Sequence, residues 1–312
     1  MRNITNIYEA VDQNKFKSFL VLALFIIFVV GVSWVLTQVF DLGPGFFGYA
    51  LVFSGISSFV SYWFSDKIVL SLSGAREADK KRDFTFYTVV ENIALAAGLP
   101  MPKVYVIEDP APNAFATGRD PKHAVVCATR GLLDKLNRSE LEGVIGHEMS
   151  HVGNYDTRLM SIVAILAGLV VLLSDFASRS MWFGGGRDRD SDSRSGGNVL
   201  AIVGIVLALL APIAAQLIQF AISRRREFFA DAASAKLTRN PEGLVRALIK
   251  ISEDRNILKS ASNATAHMYI ENPFKLDLGG KGRGRGALSW VGGLFNTHPP
   301  VEDRIKALRA MQ

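Results

Sequence analysis

The 312-residue chain has one cysteine, Cys127. That excludes an internal disulfide and any cysteine-rich zinc site. Cys127 lies in the strand-like HAVVCAT and reads as a small core residue. Histidine is scarce as well, with five in the chain, so an imidazole site must be drawn from few candidates. Charge is missing altogether from residues 18–40 (SFLVLALFIIFVVGVSWVLTQVF) and 42–65 (LGPGFFGYALVFSGISSFVSYWFS). Neither run can form a solvated helix, and each exceeds the roughly 20 helical residues needed to cross a bilayer core of about 30 Å. The first run is too long for a secretory signal and lacks an A-x-A-like cleavage site, so it reads as a retained helix. Residues 279–286 (GGKGRGRG) have no adjacent strand and no GKS/T sequence, which excludes a phosphate loop and leaves a flexible insert.

What is present is apolar and clustered. Hydrophobic residues make up 49% of the chain. A third apolar run, 159–174, is short for a span and is followed by Asp175; a fourth, 195–223, carries Pro212. The chain reads as an integral membrane protein with about four transmembrane helices and a soluble part. The net charge of +6 does not indicate nucleic acid, because the cations flank the apolar runs. Arg2, Lys15 and Lys17 precede the first span, and Lys67, Arg76, Lys80, Lys81 and Arg82 follow the second. The connection DLGPG has no cation, so both ends of the hairpin face the cytoplasm, as does the region from about 66 to 158.

Residues 84–97 have helical spacing and stop at Gly98-Leu99-Pro100. Three short strand candidates follow, KVYVIE, NAFATG and HAVVCAT, separated by turn residues. Ser139-Glu140-Leu141-Glu142 fits a capping box that opens a new helix, which can run on towards the third apolar segment. The stretch 177–197 reads as a mobile loop with a glycine-rich part at 184–197, and Arg224, Arg225 and Arg226 form a cytoplasmic anchor. Asn240-Pro241 caps a further helix. These features divide the chain into a membrane hairpin (1–66), a first soluble part (67–158), a second membrane hairpin (159–223) and a second soluble part (224–312).

The new helix carries HEMSH, residues 147–151. Positions i and i+4 share a helix face, so His147 and His151 can meet one metal ion. Glu148 lies beside that face, where it can take a proton from the attacking water without being a ligand. This is the H-E-x-x-H arrangement of zinc peptidases. Catalytic zinc usually takes three protein ligands. Glu227 is the third candidate, because a membrane hairpin ending at Ser223 returns the chain to the height at which it left. Asp231, one turn on, can accept the second ring N–H of a ligand histidine.

HEMSH, EFFAD, PNAFATG and THPPVEDRI in this order resemble the M48 peptidases over nearly the whole chain. The resemblance implies a mainly α membrane protein with a gluzincin-like α+β metalloprotease domain and a small β-sheet. It implies one Zn2+ per chain on His147, His151 and Glu227, with Glu148 as base and Asp231 behind the ligands. It implies membrane and unfolded polypeptide substrates, cut in membrane-protein quality control at the cytoplasmic face of a bacterial inner membrane. Association with other membrane quality-control proteases is expected, and nucleic acid is not. The strand Asn113, Ala114, Phe115, Ala116 can be an exposed edge that pairs with an extended peptide, or an ordinary strand. His298 can donate to the oxyanion, and Arg304 can face substrate; both can equally be structural. His123 and His267 carry no supporting pattern.

Two other readings stand beside this one. An intramembrane metalloprotease would hold H-E-x-x-H inside an apolar helix, whereas here the motif lies between SELEGVIG and NYDTR. A metal-stabilised membrane scaffold or holdase would close its site with four protein ligands. The topology is open to direct test. A protease or thiol-labelling probe outside intact cells is expected to reach residues 184–197 and to miss residues 110–130. Outside labelling of the HEMSH region would contradict the charge argument; failure to reach 184–197 would mean that the third and fourth runs dip in and return.

Overall fold

The structure, a computed structural model, describes residues 7–40, 43, 45–184, 224–258, 265, 268–270 and 299–311; of residues 7–10, 35–36, 39–40 and 171–184 it describes the backbone alone. Two long helices come first, α1 (Ile7–Phe40) and α2 (Gly45–Trp63). Both contain stretches long and apolar enough to cross a membrane, Val11–Trp34 and Gly45–Trp63. Phe19, Ile27, Trp34, Tyr49, Val52 and Ile56 are exposed on them. That many large apolar side chains on one surface suit lipid rather than water. The opposite face of α1 buries Val21 and Phe25 against Leu159, Ile162, Val163 and Leu166.

Those last residues belong to α7 (Asp156–Gly184). Its 29 residues make about 43 Å of helix, well beyond the 16-residue apolar run seen in the sequence. The expected loop from 177 therefore begins as helix, because ASRSMWF contains no breaker before Gly184. The rest of that loop, the fourth apolar run and the insert at 279–286 lie outside the described residues.

After α3 (Ser65–Leu72) the chain builds a four-stranded mixed sheet with the order β1-β2-β4-β3. The strands are β1 (Arg76–Glu77), β2 (Lys103–Ile107), β3 (Ala114–Thr117) and β4 (Val125–Thr129). β2 and β4 run parallel, with Tyr105 opposite Cys127, while β1 and β3 are antiparallel to their neighbours. All five β4 residues are buried, as a strand covered on both faces requires. On one face Val104, Val106, Ala114, Ala116, Val126 and Ala128 meet α4 (Phe84–Ala97) and α6 (Arg138–Gly153). On the other, Phe115 and Cys127 meet Val69 of α3 and Met160 and Ala164 of α7. The sheet thus has the soluble helices on one side and the start of a membrane-side helix on the other.

α5 (Arg130–Lys135) leads into α6. The capping box opens two residues earlier than the sequence suggested. Asn137 is the N-cap and accepts from the Glu140 N–H, and Glu140 bonds back to the Asn137 N–H. Asn caps as well as Ser, and Ser139 is instead an acceptor for Asn240. Nor does α6 run on into α7. It ends at Gly153, and Tyr155 takes a left-handed φ of 60° before α7 starts at Asp156.

Among the described residues the remaining α-helices are α8 (Arg224–Thr238), α9 (Pro241–Glu253) and α10 (Val301–Arg309). α6 is held by α8 and α9 at close range through two glycines. A Cβ on Gly146 would stand 2.8 Å from Ser234 Oγ of α8, and one on Gly143 would stand 2.7 Å from the Leu244 backbone nitrogen of α9. The Ser234 hydroxyl donates to the Gly143 carbonyl at 2.6 Å. A helical Gly→Ala change ordinarily gains about 1 kcal/mol. Gly143→Ala is expected to lose about 1–3 kcal/mol in thermal unfolding, because backbone must move. Gly153→Ala, whose Cβ would meet only a Leu99 methyl at 3.5 Å, is the tolerated control.

Candidate metal centre

α6 buries residues 143 to 152, and HEMSH lies within that stretch. His147, Glu148 and His151 are at most 4% exposed. From α8, Glu227 and Asp231 are also buried and lie one turn apart. The Nε2 atoms of His147 and His151 face each other at 3.2 Å, with their rings edge to face. Glu227 Oε2 is 3.6 Å from His147 Nε2, and its Oε1 is 3.7 Å from His151 Nε2. Tetrahedral ligands 2.0–2.1 Å from a common centre stand about 3.3 Å apart, so this triangle fits a zinc-sized ion. Among the described residues these three are the group able to hold a metal.

The other ring nitrogens are both committed to carboxylates. His147 Nδ1 donates to Asp231 Oδ1 at 2.9 Å, and His151 Nδ1 donates to Asp156 Oδ2 at 3.0 Å. Each pairing fixes the tautomer that turns an Nε2 lone pair inwards. Asp231 is gripped from behind by Arg304, whose Nε and NH2 reach its two oxygens at 2.8 and 2.6 Å. Burial would raise the Asp231 pKa, but Arg304 and His147 outweigh it and hold the carboxyl at about 2. Burial likewise lowers the His147 pKa, yet Asp231 and Glu227 outweigh it and raise it to about 9. A metal ion entering the triangle therefore competes with a proton.

Other expected residues fall differently. Ala114 to Ala116 lie in β3, the outer strand of the sheet, beside α6, and Asn113 directly precedes it, but all four are buried. The Ala114 carbonyl already accepts from the Ile270 N–H at 3.0 Å, so the edge is covered in part. Arg304 does not face substrate. It has no exposed surface, and its third nitrogen donates to the Ile270 carbonyl, so its task is to neutralise Asp231. His298 lies outside the described residues. Asp156 and Asn14 went unnoticed in the sequence, and Arg226 was read there only as part of a cytoplasmic anchor. Asp156 carried a weak signal, a carboxylate five residues after His151; Asn14 carried none.

Comparison with known proteins matches residues 80–312 to the model of peptidase family M48. A "Protease HtpX homolog" of Caldanaerobacter subterraneus subsp. tengcongensis is 44% identical over 98% of this chain and 98% of its own. One from Dictyoglomus thermophilum is 46% identical over 97% of this chain and 94% of its own. The crystal structure of S. mikatae Ste24p is similar at a TM-score of 0.49 and 18% identity, over 93% of this chain and 65% of that one.

The placement of Arg304 has a measurable consequence. Removing one partner of a buried ion pair costs about 3–5 kcal/mol. Arg304→Ala is expected to lower stability by that amount and to weaken metal retention. A raised KM in a variant of undiminished stability would restore the substrate-facing assignment.

Proposed function

The chain belongs to peptidase family M48, and from that premise we propose a zinc-dependent endopeptidase. It would be a multi-pass protein of the bacterial inner membrane, with its site on the cytoplasmic side and its soluble domain formed by 67–158 and 224–312. Its substrates would be membrane and unfolded polypeptides removed in quality control. The observation that carries the reading is the triangle of His147, His151 and Glu227 donors with Glu148 beside it on the same helix.

A bound zinc would supply Lewis acidity at the scissile carbonyl and would make water more acidic at neutral pH. The chain's own residues do the rest. Glu148 is placed to take the proton of the attacking water and to return it to the leaving amine. Asp231 and Asp156 keep the two imidazoles in their ligand tautomer. Burial of the cluster keeps competing water away, which strengthens each of these interactions. The strand Asn113–Ala116 is the rail along which an extended segment would lie, beyond the part of the edge held by Ile270. His298 is retained as a donor to the developing oxyanion.

Two features favour this reading over its alternatives. A closed structural site takes four protein ligands, whereas the described cluster has three and an adjoining acid. An intramembrane protease would bury its motif in a spanning helix, whereas α6 packs on the sheet through Leu141, Val144 and Ile145.

The roles separate on mutation. Glu148→Gln is expected to keep zinc and to lose hydrolysis of an unfolded test protein by about 100- to 10,000-fold. Glu227→Ala is expected to lose zinc itself. Equal zinc loss in both, measured by metal analysis of the purified variants, would contradict the assignment.

A further inference from the structure

We propose that Asp156 is a positioning residue for His151 and that Asn14, on the first membrane helix, holds Asp156 in place. The inference rests on the zinc reading above, and it makes metal retention depend on how α1 packs. Asp156 is 2% exposed and Asn14 is 3% exposed. One Asp156 oxygen accepts from the His151 ring. The other accepts from Asn14 Nδ2 at 2.7 Å and from Arg226 NH1 at 2.9 Å.

Asn14 has its side-chain groups committed to this one point. Its Nδ2 also donates to the Asn154 carbonyl at 2.9 Å, and its Oδ1 accepts from Arg226 at 3.2 Å. An amide can donate to a carboxylate and a carbonyl while accepting from a guanidinium, whereas a hydroxyl has a single proton to donate. Arg226 directly precedes the ligand Glu227, so the carboxylate that orients one ligand is paired with the neighbour of another. Asp156 thereby joins α1, α7 and α8.

The backbone at this junction is strained. Tyr155 adopts a φ of 60°, unfavourable for a bulky residue. Such conformations persist when their surroundings over-determine them. Here Lys15 of α1 lies 4.7 Å from the Tyr155 ring centroid and Arg158 lies 4.8 Å from it. The strained turn swings Asp156 back over His151, and consecutive α1 residues, Asn14 and Lys15, brace it.

The test uses the full chain in detergent or nanodiscs. Zinc affinity is read by competition with a chromophoric chelator, and the zinc-induced rise in unfolding midpoint is read for each variant against its own metal-free form. That rise follows affinity. Asp156→Asn, nearly isosteric, is expected to bind zinc about 10- to 100-fold more weakly, because its amide can donate to Nδ1 and turn the wrong tautomer inwards. Asn14→Ala, which touches no ligand, is expected at the lower end of that range, about 10-fold. The double variant should be no weaker than Asp156→Asn alone, since the two act through one contact. Ser18→Ala, one turn along α1 and bonded only to the Asn14 carbonyl, should bind as wild type.

Wild-type affinity in both Asp156→Asn and Asn14→Ala, with zinc still lost in His151→Ala, would overturn the clamp and leave the zinc reading intact. Equal weakening in Ser18→Ala would reduce the effect to general packing of α1 and would also overturn it. A wild type that binds no zinc, or whose zinc is indifferent to His151→Ala, would remove both.

Discussion

The site depends on turning two imidazole nitrogens towards each other at 3.2 Å in the buried interior. Two lone pairs do not face one another in a dry interior unless something is meant to lie between them. The chain meets that cost by tying each ring at its far nitrogen to a carboxylate, and each carboxylate to an arginine. Charge shows the same logic. Glu148, Glu227, Asp231 and Asp156 are buried carboxylates; Arg304 pairs with Asp231, and Arg226 pairs with Asp156. A divalent cation in the triangle would offset negative charge gathered there, as buried charge requires. The raised pKa of His147, about 9, answers the same negative charge of Asp231 and Glu227.

The geometry is set by close backbone approach rather than by bulk. Gly143 and Gly146 let α9 and α8 settle against α6, and this brings Glu227 within reach of the histidines. The sheet supports α6 from beneath and rests in turn on α3 and α7. α7 continues into the membrane-side cluster with α1. A single rigid path therefore runs from the apolar hairpin to the ligands.

Some of this was legible in the sequence, and the reason is range. HEMSH and the Glu227–Asp231 pair are i, i+4 patterns, which helical periodicity alone brings onto one face. The strands showed as short apolar runs between turn residues, and Gly98 marked the end of α4. The contacts that decide roles span long separations and leave no local trace. Asn14 meets Asp156 across 142 positions, and Arg304 meets Asp231 across 73. Arg304 sat in a motif, so its importance was visible, but its direction was not. The break at Tyr155 did leave a local trace, Gly153-Asn154 before it and Asp156 after it, but the helical HEMSH segment and the apolar run on either side drew the reading across it.

The central proposal is that this buried triangle is a zinc site made by His147, His151 and Glu227. Zinc K-edge X-ray absorption on the full chain carrying one equivalent of zinc tests it most directly. The expected spectrum has a nearest shell of nitrogen and oxygen at about 2.0–2.1 Å, with the outer-shell scattering of two imidazoles. A sulfur shell at about 2.3 Å, or a shell without imidazole, would contradict it.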